Sequence, residues 1–184
     1  MFPGTASTTP HNFVFLEGVK NALCADAAWQ EGFYREQPTK GRVGARLRRV
    51  GIVTSFLLPK LYLEHGYSSL EDFLVGYWEA FFLSKDANNL LSMAWTWQHG
   101  DIGMTPGCDG DREKALRRIK AKAMILPGQT DLYFTPEDMT YEAKFITHAE
   151  VRVIPSIYGH FAGIGFHPVD TNFIDNAIKE LLES

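Results

Sequence analysis

Apolar positions change their spacing along the chain near Arg118. Before it they recur at steps of three and four; after it, short apolar runs alternate with helical stretches. Thr9-Pro10 predicts a helix start, with a hydroxyl as cap and a proline where no donor is missed. Phe13, Leu16, Val19, Leu23 and Ala27 would form its buried face. The stretch from Phe33 to Arg49, with Gly32, Pro38, Gly41 and Gly44, reads as irregular connection. Ser68 and Glu71 then predict a capping box, followed by one broad apolar face of Leu70, Phe73, Leu74, Tyr77, Trp78, Phe81 and Phe82. A further helix is expected from Asp86, carrying Leu90, Leu91, Ala94, Trp95 and Gln98.

Beyond the Gly107-Cys108-Asp109-Gly110 loop, a short helix is expected around Arg112–Arg118. Ala121–Leu126, stopped by Pro127-Gly128, has the continuous apolar character of a buried parallel strand. Thr135-Pro136 opens another helix, Glu150–Pro155 alternates as a strand does, and a last helix runs from about Asp170 to Leu182. Its buried face would hold Phe173, Ile174, Ala177, Ile178, Leu181 and Leu182. Strand, helix, strand, helix is the signature of a parallel α/β layer. The expected organisation is a helical cap over residues 1–118 and an α/β portion over 119–184.

Composition narrows the function classes. With 184 residues, 45% hydrophobic, and a formal charge of -4, the chain can build a core and is not a basic nucleic-acid binder. The run Lys40, Arg42, Arg46, Arg48 and Arg49 lacks interleaved stacking aromatics and reads as a solvated loop. Two cysteines, Cys24 and Cys108, make no disulfide scaffold, and no CxxC pair offers a zinc site. His11, His148 and His167 lack ligand-spaced partners, and no glycine-rich phosphate loop is present. No apolar run reaches the ~18 residues of a membrane span, and no secretory signal is visible, so the expected setting is the cytoplasm, away from membranes.

Two strand ends carry candidate chemistry. LPGQTDLYF places Asp131 after one strand, and IPSIYGHFAG places His160 after the next. In open parallel sheets, functional groups collect outside the carboxyl ends of strands. There an acid could hold Nδ1 of the imidazole and leave Nε2 as a base. Singly, Asp131 reads as a helix cap and His160 as an ordinary loop residue; together and in this order they read as an acid–base pair.

The chain resembles the homoserine O-acetyltransferase-type proteins of the α/β-hydrolase fold, in their C-terminal part. TTPHNFVFLEGVKNAL, SLEDFLVGYWEAFFLSKDANNLL, WTWQHGDI, LPGQTDLYFTPED and IPSIYGHFAG carry the resemblance, in that order. It implies a helical lid followed by the last two strands of a larger sheet. It also implies Asp131 as triad acid, His160 as triad base, and an acyl-serine route between a small acyl donor and an acceptor. Asp101, after His99-Gly100, Trp97 on the lid, and Phe161 beside the base would contact substrate. No cofactor is expected; acyl-CoA would enter only as an acyl-donor substrate.

The chain departs from that pattern at two points. None of its serines stands in a Gly-x-Ser-x-Gly elbow, so the nucleophile is expected upstream of Met1. Cys24 and Cys108 are better read as structural than as substitutes. Phe161 occupies the position where the acetyltransferases keep an acid for the substrate amine, which argues against homoserine as acceptor. Two readings therefore stand: an acyltransferase or hydrolase portion, and a non-catalytic fragment that binds or assembles. In either, the lone pair of parallel strands would leave an exposed edge able to pair with another chain or a second copy.

Overall fold

Strands β1 (Ala123–Ile125) and β2 (Ala149–Val151) pair in parallel, with Ala123 opposite Ala149 and Ile125 opposite Val151. The fold is that of a computed structural model, which describes residues 4–34, 66–83, 85–164 and 167–183. The basic run at 40–49 and most of the irregular connection lie outside the described residues. The chain forms two compact units, Thr9–His99 and Met1–Thr8 with Gly100–Ser184.

In the first unit, α1 spans Pro10–Cys24 and starts as expected, with Thr9 Oγ1 accepting from Asn12 N at 3.2 Å. Leu16 and Leu23 are buried, whereas Phe13 is exposed and the polar Asn12 is buried in its place. A short 3-10 turn, Ala27–Gly32, follows, so Ala27 is not part of α1. The next helical stretch, α2, consists of Leu70–Phe73, a π-helical run Leu74–Glu79, and Ala80–Leu83.

This stretch corrects two expectations. The cap lies one residue later than expected: Ser69 Oγ accepts from Asp72 N, and the Asp72 carboxylate accepts from the Ser68 amide and hydroxyl. The single broad face is also broken. Each π turn takes in an extra residue and rotates the following side chains. Phe73 and Trp78 are buried, but Leu70 and Phe81 are exposed. Helix α3 (Ala87–Gln98) starts where expected, with Asp86 accepting from Asn89 N. Trp95, which the helix carries as expected, is exposed and stacks on His99 at 4.1 Å. Leu23 and Ala87 anchor the core of this unit, with Val19, Trp29, Phe82 and Leu90 packed on them.

In the second unit, α4 (Arg112–Arg117) leads into β1, α5 (Pro136–Ala143) crosses to β2, and α6 (Pro168–Glu183) follows. Thr135 caps α5 through Asp138 N, as its Thr-Pro start predicts. Pairing continues past the strands: Ile154 N donates to Pro127 O and Gln129 N to Ile154 O. Two small cores result, Ala6, Leu116 and Ile146 on one hand, and Ile154, Ala162 and Ile174 on the other. Full burial of Ile154 contributes on the order of 1.5–3 kcal/mol. The buried face expected for α6 is only half realised. Ile174 and Ala177 are buried, while Ile178 and Leu182 are exposed. Among the described residues the sheet has two strands, and α6 has 16 residues.

Among the described residues no strand pairs with the outward edge of β1. In a parallel ladder alternate residues bond to alternate sides. Ala123, Ile125 and Pro127 bond toward the β2 side, so the amides of Met124 and Leu126 face away from β2. Among the described residues no helix is long and apolar enough to cross a membrane.

Candidate active site

The sequence that follows β1 makes a tight turn and then a carboxylate. Gly128 bridges Ile154 in parallel fashion, and Asp131 N donates to Gly128 O. Asp131 Oδ1 accepts from Tyr133 N at 2.8 Å and Phe134 N at 3.2 Å, which fixes the carboxylate from its own loop. The loop after β2 enters a 3-10 turn, Gly159–Ile164, with His160 as its second residue. Gly159 has φ +53, a left-handed conformation open to glycine at little cost.

These two loops bring Asp131 Oδ2 to 3.0 Å from His160 Nδ1. The Asp131 side chain is 8% exposed and the imidazole 26%, so the acid is sequestered and the ring remains accessible. A carboxylate accepts, so this contact suits an imidazole with its proton on Nδ1, which in the neutral ring leaves Nε2 as the acceptor. Tyr133 meets the imidazole edge-on at 5.2 Å, and Phe134 lies at 5.3 Å, tilted. Both aromatics confine the ring; their signal in the sequence is the Leu-Tyr-Phe run directly after Asp131.

Asp131, His160 and Phe134 line a cavity of roughly 550 Å³ whose other walls include Met139, Glu142 and Leu181. Glu142 is committed to structure: it accepts from the Thr5 hydroxyl at 2.5 Å and from Ala6 N at 2.9 Å. Burial pushes its carboxyl above the usual range, against the opposing pull of these donors.

Asp101 caps a 3-10 turn through Gly103 N at 2.7 Å and pairs with Arg112 Nε at 3.2 Å. Phe161 follows His160 in its turn, half-buried, with its amide donating to Tyr158 O. Trp97 is half-buried on α3 in the other unit. Cys108 is fully buried beneath Arg118, whose Nη1 lies 3.3 Å from its sulfur. Burial pushes the Cys24 thiol up, away from the thiolate a nucleophile needs. Among the described residues no group of His, Cys, Asp and Glu could hold a metal ion.

No family model matches the chain. Among curated proteins it is 36% identical over 188 residues to the ethyl acetate hydrolase of Pseudomonas veronii, covering 98% of this chain and 52% of that protein. It is 26% identical over 179 residues to the homoserine O-acetyltransferase of Methanococcus vannielii, covering 86% of this chain and 35% of that one. The solved structure of the acetyl esterase MekB superposes with a TM-score of 0.87 at 36% identity, over 98% of this chain and 53% of that one. The fold is the α/β-hydrolase fold, of which this chain forms a part. Its homologues include esterases and homoserine O-acetyltransferases. The chain spans about half the length of the ethyl acetate hydrolase and of a probable esterase of Corynebacterium glutamicum.

Proposed function

We propose that this α/β-hydrolase chain supplies the acid and base of a serine acyl-transfer site, Asp131 and His160, with hydrolysis of small esters as its chemistry. The observation that carries the reading is the 3.0 Å approach of His160 Nδ1 to the buried Asp131 carboxylate, on loops after adjacent parallel strands. His160 Nε2 would take the proton of a serine hydroxyl as its oxygen attacks the ester carbonyl, and return that proton to the departing alkoxide. It would then deprotonate a water that attacks the acyl carbonyl, and pass that proton to the serine oxygen as the acyl–oxygen bond breaks. Asp131 would hold the imidazole in the Nδ1–H form throughout.

Water as acceptor is favoured over an amino alcohol because Phe161 stands where the resemblance calls for an acid. The higher identity to the Pseudomonas hydrolase than to the acetyltransferase points the same way. Acyl-CoA enters this scheme only as an alternative acyl donor. Two unpaired cysteines accord with a reducing compartment, the cytoplasm.

A second reading, a non-catalytic module that binds or assembles, is favoured by one feature of the sequence. None of the serines sits in a Gly-x-Ser-x-Gly elbow. One experiment separates the two. The purified chain is incubated with p-nitrophenyl acetate, alone and with a polypeptide corresponding to the nucleophile-bearing half of a relative, each compared with His160→Ala. Turnover that requires His160, with an acylated residue in the mass spectrum, supports the acid–base role. Turnover indifferent to His160, or none in either arrangement, leaves the non-catalytic module.

A further inference from the structure

The geometry points to Thr130 as a positioning residue, a clasp between the two loops that sets how Asp131 meets His160. This inference rests on the acid–base reading of that pair. Thr130 lies one residue before Asp131, and its hydroxyl makes two bonds to the opposite loop. Its Oγ1 donates to Ser156 O at 3.1 Å and accepts from Gly159 N at 3.0 Å. The second contact falls on the residue immediately before His160. One hydroxyl thus ties the neighbour of the acid to the neighbour of the base.

The loop that Thr130 grips is itself anchored from behind. Ser156 is buried, and its hydroxyl donates to Asp170 Oδ2 at 2.6 Å and accepts from Tyr158 N at 3.0 Å. Asp170 is buried in the first turn of α6, where a carboxylate is favoured by the exposed helix amides. Thr130, Ser156 and Asp170 therefore form a chain of bonds from the acid's loop, through the base's loop, to the last helix. None of the three touches the imidazole in any bond described, so their effect passes through backbone position. The two Thr130 bonds, between neutral groups, are individually modest. Their consequence here is geometric, since the Nδ1–Oδ2 bond tolerates only a few tenths of an ångström before it weakens.

An isosteric change separates a clasp from mere packing. In Thr130→Val the shape stays and both bonds go; in Thr130→Ser both bonds remain. The readout is the tautomer of His160 in the full chain, from long-range 1H–15N spectra of histidine-labelled protein, with the signals assigned through His160→Gln. The wild type and Thr130→Ser are expected in the Nδ1–H form. Thr130→Val is expected to shift toward the Nε2–H form, with exchange of the Gly159 amide faster by about fivefold, the loss of one ordinary hydrogen bond. A Thr130→Val chain that keeps the Nδ1–H form overturns the clasp. Should that variant fail to fold, the wild-type Gly159 amide decides: protection from exchange supports the clasp and an unprotected rate overturns it. Asp131→Asn distinguishes the two failures. If it too leaves the tautomer unchanged, the acid–base reading itself falls; if it alters the tautomer while Thr130→Val does not, only the clasp falls.

Discussion

Gly128 lies directly against Gly159: a Cβ on Gly128 would stand 2.7 Å from the Gly159 carbonyl oxygen and 3.4 Å from Ala162 Cβ. The obstacle is backbone, which cannot swing aside as the end of a side chain can. The turn after β1 and the turn that carries His160 can approach this closely only because the first is a glycine. Gly128→Ala is expected to destabilise the chain by about 1–3 kcal/mol, as overpacking of a close contact does. Urea unfolding checks it, and an unchanged midpoint would show that the two loops are not in fixed contact.

Asp131→Asn keeps an acceptor for the Tyr133 and Phe134 amides but puts a donor where Nδ1–H needs an acceptor. Stability should therefore change little. In an assembly complemented with the nucleophile-bearing half, ester turnover should fall by about 10⁴, the loss seen when a triad acid becomes an amide. Turnover within tenfold of the parent would remove Asp131 from the mechanism.

Glu142 gives a pH dependence whose sign follows from burial. Its carboxyl is raised in the folded chain, so the folded state holds the proton more tightly than the unfolded state does. Its favourable contribution is full below the ordinary carboxylate range and is lost as pH rises through the raised value. Glu142→Gln still offers an acceptor to Thr5 and Ala6 without titrating. Denaturation midpoints from pH 4 to pH 8 should show the variant gaining on the wild type as pH rises. A gap that closes or reverses over that range would contradict the burial argument.

The outward edge of β1 should act as a pairing surface. The Met124 amide faces away from β2, so Met124→Pro removes an outward donor and leaves the β1–β2 bonds in place. Sedimentation velocity of the wild type should show concentration-dependent association that the variant lacks. A wild-type chain that stays monomeric and melts cooperatively at all concentrations would count against edge pairing.

Much of this architecture was legible in local pattern. Thr9-Pro10, Asp86 and Thr135-Pro136 open helices as their chemistry dictates, because a capping bond spans only three residues. The acid and base loops were legible too, since a strand followed by a turn announces where its carboxyl end lies. Errors arose where two local choices were nearly equal. Ser68 and Ser69 both offer a capping hydroxyl, with Glu71 and Asp72 both offering the reciprocal carboxylate; the structure uses the second pair. The aromatic run from Phe73 to Phe82 fits an α face in sequence, yet the π segment redistributes its rings. Ring packing between Phe73, Tyr77 and Trp78 is not a property of spacing alone.

By itself, the sequence determined the helix starts at Thr9, Asp86 and Thr135, the parallel strands, and the placement of Asp131 and His160 on successive strand ends. Each of these depends on residues a few positions apart. Only the tertiary structure decided the 3.0 Å bond between them, the Thr130–Ser156–Asp170 chain behind it, and the half-uncovered face of α6. These depend on how closely segments distant in sequence approach, which is set by backbone contacts such as Gly128 against Gly159 and by how much sheet lies beneath the helix. Periodicity says which face of an element is apolar; it does not say what will be there to cover it.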